Sequence, residues 1–448
     1  MSKNPTPILP YLAKDLSLLG REPVPVEERP ARALGLLGDL CRAKKSLSLF
    51  LDTCTKCGAC AEQCHTYLGT RDPYNIPARR VDLVRQVYKR YFTLSGRLFG
   101  GFEGAKAIDQ ETVDLWYKYF YQCNECRRCA VFCPFGIDTA EVTIAAREIL
   151  AGLGLVPKFI LGVAANAART GNNMGIPKPA LVDSAEFLED ELKEETGKAI
   201  RIPVDDEGAE VLFNPSSSDF FTNTDGLMGV AKMFHAAGTS WTISTDIIET
   251  ANFGLFFDQE TMRKHNQRLF AAARQLKVKR VVAGECGHGW RTWKNFTREL
   301  SGDVGIPVVH EVEEALQYIK EGRIRLDRSA NPERVTYHDP CNMARAGDLI
   351  EEPREVLRAA AENFVEMTPN RERNFCCGGG SGLLMEEMVE LRVKFGKAKA
   401  DQVRATGAEV LVAPCAMCKA QLPLVMEHHK VEVQVKGIAD LIGKALVL

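Results

Sequence analysis

The chain has 448 residues, 15 of them cysteine, with 57 Lys+Arg against 59 Asp+Glu and a net charge of −2. That cysteine density is below the roughly 8–10% of disulfide-stapled secreted scaffolds, yet its clustering exceeds that of an ordinary cytosolic enzyme. The balanced charge argues against nucleic acid as a main partner, and 45% hydrophobic residues suffice for about two to four domain cores.

Residues 1–35 carry Pro5, Pro7, Pro10, Pro23, Pro25 and Pro30, which remove backbone donors and predict an extended arm. Its apolar residues, among them Ile8, Leu9, Leu16 and Leu19, suit an arm lying either on its own domain or on a partner. The N-terminus shows no export signal, and no apolar run reaches about 18 residues, so no direct membrane span is expected. The nearest approach, Ile149–Ala168, is interrupted by Pro157 and Lys158.

Residues 36–169 read as a helical domain, with helical periodicity over Val81–Tyr91, Glu111–Tyr121 and Thr139–Leu150. The acidic passage 170–208 (EDELKEE at 189–195) reads as a linker with one solvated helix. Beyond it, short apolar runs at Glu210–Phe213, Ser240–Ser244, Arg280–Ala283, Val335–His338 and Glu409–Ala413 predict strands. They alternate with amphipathic segments at Gln259–Gln275, Pro353–Asn363 and Met385–Thr406, the pattern of α/β units around a parallel sheet. The region is duplicated: AEVLFNPSSSDFF (209–221) parallels RVTYHDPCNMARAG (334–347), and KRVVAGECGHGW (279–290) parallels AEVLVAPCAMCKA (408–420). The predicted fold is therefore α/β with a helical ferredoxin-like part, its two similar halves spanning 209–325 and 326–448.

Two cysteine runs share one spacing: Cys54, Cys57, Cys60 and Cys64, then Cys123, Cys126, Cys129 and Cys133. The C-x2-C-x2-C-x3-C pattern is that of bacterial two-cluster ferredoxins, in which the fourth cysteine crosses to the other cluster. Cys54, Cys57, Cys60 and Cys133 are thus expected on one 4Fe–4S cubane, and Cys123, Cys126, Cys129 and Cys64 on the other. Zinc competes, but zinc sites pair two C-x2-C knuckles, whereas each run here offers four thiols. His65 stands where that pattern has proline; it is expected to turn the chain and not to ligate.

A third constellation joins Cys341 (HDPC), Cys376 and Cys377 (NFCCGGGSG), and Cys415 and Cys418 (PCAMC). Each group follows a strand or lies in a glycine-rich turn, where open α/β sheets gather ligands. Five thiols exceed what one cubane takes, so a larger or opened iron–sulfur cluster fits better than inert thiols or a redox-active Cys376–Cys377 disulfide. The first repeat carries little of this set: Ser216 stands where the second has Cys341, ANFGLFF (251–257) stands near the position of Cys376-Cys377-Gly378, and only Cys286 matches Cys415, with Gly289 opposite Cys418. One such cluster is expected. Cys286, with His288, either faces that site as an extra ligand or sulfur-handling thiol, or is a leftover buried residue. Arg79, Arg80, Arg127 and Arg128 either offset cluster charge, form a docking face or sit in solvent. Arg345 either attracts an anionic substrate or is an ordinary surface arginine.

The HDPC…FCCGGGSG…PCAMC pattern resembles the CCG domain of heterodisulfide reductases. The order of motifs, two ferredoxin runs followed by paired CCG halves, is similar to that of their D polypeptide. TYLGTRDPYNIPARR (66–80) and FVEMTPNRERNFCCGGGSG (364–382) are most similar to the catalytic subunits of membrane-bound DsrMKJOP complexes. The resemblance implies a non-cubane 4Fe–4S cluster, held by the five C-terminal cysteines, that cleaves a disulfide or trisulfide with electrons from the two cubanes. It implies a DsrC-like small sulfur-carrier protein as substrate and a DsrM-like, cytochrome b-like membrane subunit among other complex subunits. The chain would then sit on the cytoplasmic face through partners, with the arm and the 149–168 helix as docking elements. An electron-relay subunit of a glycolate, lactate or glycerol-3-phosphate dehydrogenase, or a non-catalytic electron-transfer subunit, would share these motifs.

Overall fold

The computed structural model describes residues 13–248, 252–255, 257–302 and 304–448. It divides into two compact units: residues up to Ala165 with Phe253–Thr261 and Phe375–Ala398, and the remainder. Residues 1–12 of the arm, and Ala251 and Phe256 of the ANFGLFF stretch, lie outside the described residues.

The first unit is helical. Helices Pro77–Phe92, Gln110–Phe120 and Thr139–Gly152 agree with the predicted periodicities to within a few residues. Their starts are chemically marked. Pro77 occupies a first-turn position; Asp109 accepts from Thr112 N at 2.8 Å and Asp138 from Ala140 N at 2.9 Å. Trp116 is fully buried between them and donates Nε1–H to Leu83 O at 2.8 Å. The described part of the arm packs on this same unit: Leu16 is buried, Val24 N donates to Leu153 O, and Arg21 pairs with Asp258 at 2.9 Å. The 149–168 stretch, expected as one helix and a docking element, falls on two helices, Thr139–Gly152 and Lys158–Thr170. Gly154, at φ +73°, splits it, and Ile149, Leu150, Leu155, Val156 and Ile160 are core residues of the unit.

The second unit holds two four-stranded parallel sheets. The strands are β1 Val211–Asn214, β2 Trp241–Thr242, β3 Arg280–Ala283, β4 Val308–His310, β5 Arg334–Tyr337, β6 Asn363–Val365, β7 Val410–Val412 and β8 Gln434–Lys436. Their orders are β2-β1-β3-β4 and β6-β5-β7-β8. The second repeats the first with every index raised by four, the structural form of the sequence duplication. β4, β6 and β8 were not predicted; each is a three-residue edge strand, too short to show a period, and only His310 of β4 is buried among their residues. The predicted helix Met385–Thr406 is broken at Gly396 into Val389–Phe395 and Lys397–Thr406. In the 170–208 passage, helix Lys178–Thr196 turns its acidic face to water and buries Leu181, Leu188 and Leu192 in the sheet core.

Two features lock the halves of this unit together. Helix Thr224–Ala237 crosses helix Ile438–Ala445 at Gly229, where a Cβ would lie 2.2 Å from Ala439 O, so no side chain fits. Beside that crossing, buried Lys419 reaches Glu285 at 2.7 Å and Asp219 at 3.6 Å, while Glu285 accepts from the Ile438 and Ala439 backbone N–H groups.

His310, at the end of β4, is fully buried against Trp290, and burial pushes its pKa down to about 3. Its Nδ1 accepts from Val312 N, which fixes the neutral tautomer. A depressed histidine gives stability that is present above its unfolded value and lost as pH falls through the window towards 3. Burial drives Asp219 the opposite way, to about 6, so the effect must be read as a difference between proteins. Chemical unfolding of wild type and His310→Gln should show the wild-type advantage shrinking by about 2 kcal/mol between pH 7 and pH 5. A constant difference would show that His310 is not held neutral.

Candidate iron–sulfur sites

The two cysteine runs wind in the same way. Lys56 and Gly58 have φ of 59° and 84°, and the matching positions Glu125 and Arg127 have 51° and 60°. Alternating left-handed residues turn successive N–H groups inward, a concavity that favours anions, and Glu125 N already donates towards Cys123 Sγ at 3.4 Å. One cavity is lined by Cys54, Cys57, Cys60 and Cys133, with Cys129 on its wall; a second by Cys64, Cys123, Cys126 and Cys129. The first cavity brings Cys133 beside the first run and the second brings Cys64 beside the second run, with Cys129 lining both. Burial pushes the Cys60, Cys64 and Cys129 thiols up, and neighbouring sulfurs add to the rise. Such crowded sulfur is stable as thiolate only around a cationic centre, so this donor set fits iron–sulfur clusters.

The arginines divide between the roles open to them. Arg80 is buried, lines the second cavity, donates to Tyr119 O and Asn75 Oδ1, and its charge favours the Cys64 thiolate. Arg79 is exposed. Arg127 pairs with Asp138 at 2.6 Å, and Arg128 lies 3.8 Å over the Phe375 ring while donating to Gln63.

The Cys376–Cys377 turn belongs to this same unit. Gly378 N and Gly379 N approach Cys376 Sγ and Cys377 Sγ at 3.4 and 3.5 Å. Gly378 has φ +90°, and a Cβ there would press on Arg392 O, so the turn requires glycine. His65, expected from the sequence only to turn the chain, is buried beside the Cys-Cys turn. Its Nε2 donates to Asn124 Oδ1 at 2.6 Å, Nδ1 lies 3.8 Å from Cys126 Sγ, and ligand atoms of His65, Cys126 and Cys376 fall within 4.8 Å of one another. The departure from proline at this position was the one signal of it.

Arg147 fastens these pieces. Fully buried, it donates to Phe120 O and Cys123 O at 2.9 and 2.7 Å and to Ser381 O at 2.9 Å, and it pairs with Glu125 at 3.0 Å.

In the second unit, Cys341 opens helix Cys341–Gly347 after β5, Cys415 caps helix Ala416–His428 after β7, and Cys418 lies in that helix's first turn. Cys286 caps helix Gly287–Asn295 after β3 and copies Cys415: the backbone N–H of each donates to the carbonyl two residues earlier, at 2.6 and 2.7 Å. The Cys286 turn abuts the other, since Ala416 N donates to Glu285 O and a Cβ on Gly287 would meet Cys415 Sγ at 3.5 Å. Ser216, at the lost cysteine position, caps a short 3-10 turn together with Asp219. Asp339 accepts two bonds from buried Arg354 and one from Arg371 N. Arg345 donates to Glu372 O and Asn374 O, which ties down the chain entering Phe375.

Replacing Arg147 by Met should remove its backbone bonds and leave the Glu125 carboxylate buried without its cation, a loss of about 3–5 kcal/mol. Thermal unfolding and iron retention should fall together. Wild-type values of both would show that Arg147 does not hold the cysteine turns.

A family model described as the 4Fe-4S dicluster domain matches residues 50–137, and one described as the cysteine-rich CCG domain matches residues 335–423. The chain is 37% identical to the Hdr-like menaquinol oxidoreductase iron-sulfur subunit of Archaeoglobus profundus, over 90% of this chain and 81% of that protein. It is 34% identical to iron-sulfur subunit 2 of the corresponding Archaeoglobus fulgidus protein, over 93% and 83%. It is 26% identical to the D polypeptide of the dihydromethanophenazine:CoB–CoM heterodisulfide reductase of Methanosarcina mazei, over 89% and 94%. With cysteine cavities of the required composition and this breadth of similarity, the chain belongs to the heterodisulfide reductase-like family of iron–sulfur oxidoreductase subunits.

Proposed function

We propose that the chain is the sulfur-reducing subunit of a membrane-associated complex, passing electrons to a site that splits an S–S bond. The observation that carries this reading is the proximity of Cys376 to Cys126 and His65 within one compact unit. Electrons reaching the second four-cysteine cavity have a short path to the Cys-Cys turn. Cys54, Cys57, Cys60 and Cys133 hold one cubane, and Cys64, Cys123, Cys126 and Cys129 the other. Cys341, Cys376, Cys377, Cys415 and Cys418 hold a non-cubane 4Fe–4S cluster. When bound, these groups supply one-electron transfer at low reorganisation cost.

The chain's own residues do the rest. The inward N–H groups of both runs and the charge of Arg80 stabilise sulfur-borne negative charge. Gly378 and Gly379 leave the Cys376–Cys377 turn without side chains that would block approach. The overall reaction consumes two electrons and two protons and converts a disulfide into two thiols, or one S–S bond of a trisulfide into a thiol and a hydropersulfide. The menaquinol in the names of the Archaeoglobus relatives supports a quinol as electron source; a cytochrome b-like membrane subunit is the proposed link between that quinol and this chain. A DsrC-like carrier protein is the proposed substrate, and the cytoplasmic face of the membrane the proposed location.

The test is anaerobic reconstitution of the full chain, reduction with a viologen, and addition of a disulfide-bearing carrier protein. Free thiols should appear, and Cys376→Ala should lower their rate by about 100-fold or more. Reoxidation by a quinone with no thiols formed would contradict the proposal and leave the chain an electron relay.

A further inference from the structure

The segment after helix Pro77–Phe92 presents large apolar side chains to solvent on a fixed scaffold. Leu94 is 73% exposed, Leu98 65%, Phe99 60% and Phe102 99%. They lie on two short helical turns, Leu94–Leu98 and Gly100–Glu103, and at Phe99, which joins them. Fraying does not explain the exposure. Thr93 caps the first turn through Gly96 N at 3.1 Å and donates its hydroxyl to Lys89 O at 3.0 Å. Gly96 is buried so tightly that a Cβ would lie 2.1 Å from Lys89 O. Ala105 N closes on Gly100 O and Lys106 N on Gln86 O, which anchors the far end. Burying the backbone while displaying four large apolar groups is a costly arrangement for a free surface.

The surrounding charge indicates what covers it. Between Lys89 and Lys106 the sequence holds four basic residues, Lys89, Arg90, Arg97 and Lys106, against the single acid Glu103. Arg90 and Arg97 are exposed beside the apolar groups, with Arg97 Nε bonded to Tyr91 O at 2.9 Å. Leucine and phenylalanine flanked by arginine is the composition of elements that lie in a lipid interface, apolar groups at the acyl boundary and cations at the headgroups.

We propose that residues 94–102 form a membrane-contact element that inserts Leu94, Leu98, Phe99 and Phe102 into an anionic lipid surface. The inference stands apart from the sulfur chemistry proposed above. No helix among the described residues is long and apolar enough to cross a membrane, so this contact would be peripheral.

Flotation of the cluster-loaded full chain with vesicles of phosphatidylglycerol and phosphatidylcholine tests it. The wild type should float with these vesicles, less so at high salt. The triple variant Leu98→Ser, Phe99→Ser, Phe102→Ser should bind at least about tenfold less while keeping the wild-type melting temperature and cluster absorbance. Arg90→Gln with Arg97→Gln should weaken binding and flatten its salt dependence. Failure of the wild type to float, or equal flotation of the triple variant, would overturn the proposal; a surface built only for a protein partner gives that result. Thiol release by the soluble triple variant reads the sulfur chemistry separately, so the two proposals fail independently.

Discussion

A guanidinium buried to zero exposure is the constraint around which the cysteine-bearing unit is organised. Arg147 comes from helix Thr139–Gly152, yet its bonds end on the backbone at Phe120, Cys123 and Ser381 and on the Glu125 carboxylate. It thereby fixes the entry of the second cysteine run and the exit of the Cys376–Cys377 turn with one side chain. Asn124 and Ser381 reinforce the link, through Asn124 Nδ2 to Gly380 O at 3.2 Å and Ser381 Oγ to Asn124 O at 3.0 Å. Sulfur positions defined this rigidly suit electron transfer, in which distance rather than motion sets the rate. The cost is a buried charge that must keep every partner.

The second unit solves a different problem. Its first α/β half has the strand order of its second half but carries one cysteine, Cys286, against five in the second. Glu285 sits one residue before the surviving Cys286. It ties Lys419, one residue after Cys418, to the start of helix Ile438–Ala445. The glycine crossing at Gly229 brings the same helices to backbone contact. Through these contacts the first half braces the turns that carry Cys415 and Cys418. The Cys286 turn repeats the Cys415 turn and packs against it.

How much of this could be read in the sequence follows from the range of each interaction. The cysteine runs are local, so their spacing was legible, and the cavities bring Cys133 to the first run and Cys64 to the second. The duplication was legible because the inner strands β1, β3, β5 and β7 each bury at least three consecutive residues, most of them apolar. β4, β6 and β8 were not, because short edge strands carry little hydrophobic pattern. Residues acting across more than 200 positions, as Arg147 and Asn124 do on the 380–381 backbone, leave no local mark. Arg345 reads in the sequence as a substrate contact or a surface residue, and the structure shows it holding the 372–374 backbone. His65 left a trace only as the wrong residue after a fourth cysteine.

The central claim is that the Cys376–Cys377 turn belongs to a redox centre that meets sulfur. Electron paramagnetic resonance of the oxidised, fully loaded chain, with about twelve irons per molecule, tests it most directly when the carrier substrate is titrated in. The account predicts a paramagnetic signal that appears or shifts with substrate and is absent from a Cys376→Ser variant whose two cubane signals are intact. A wild-type spectrum indifferent to substrate would contradict it.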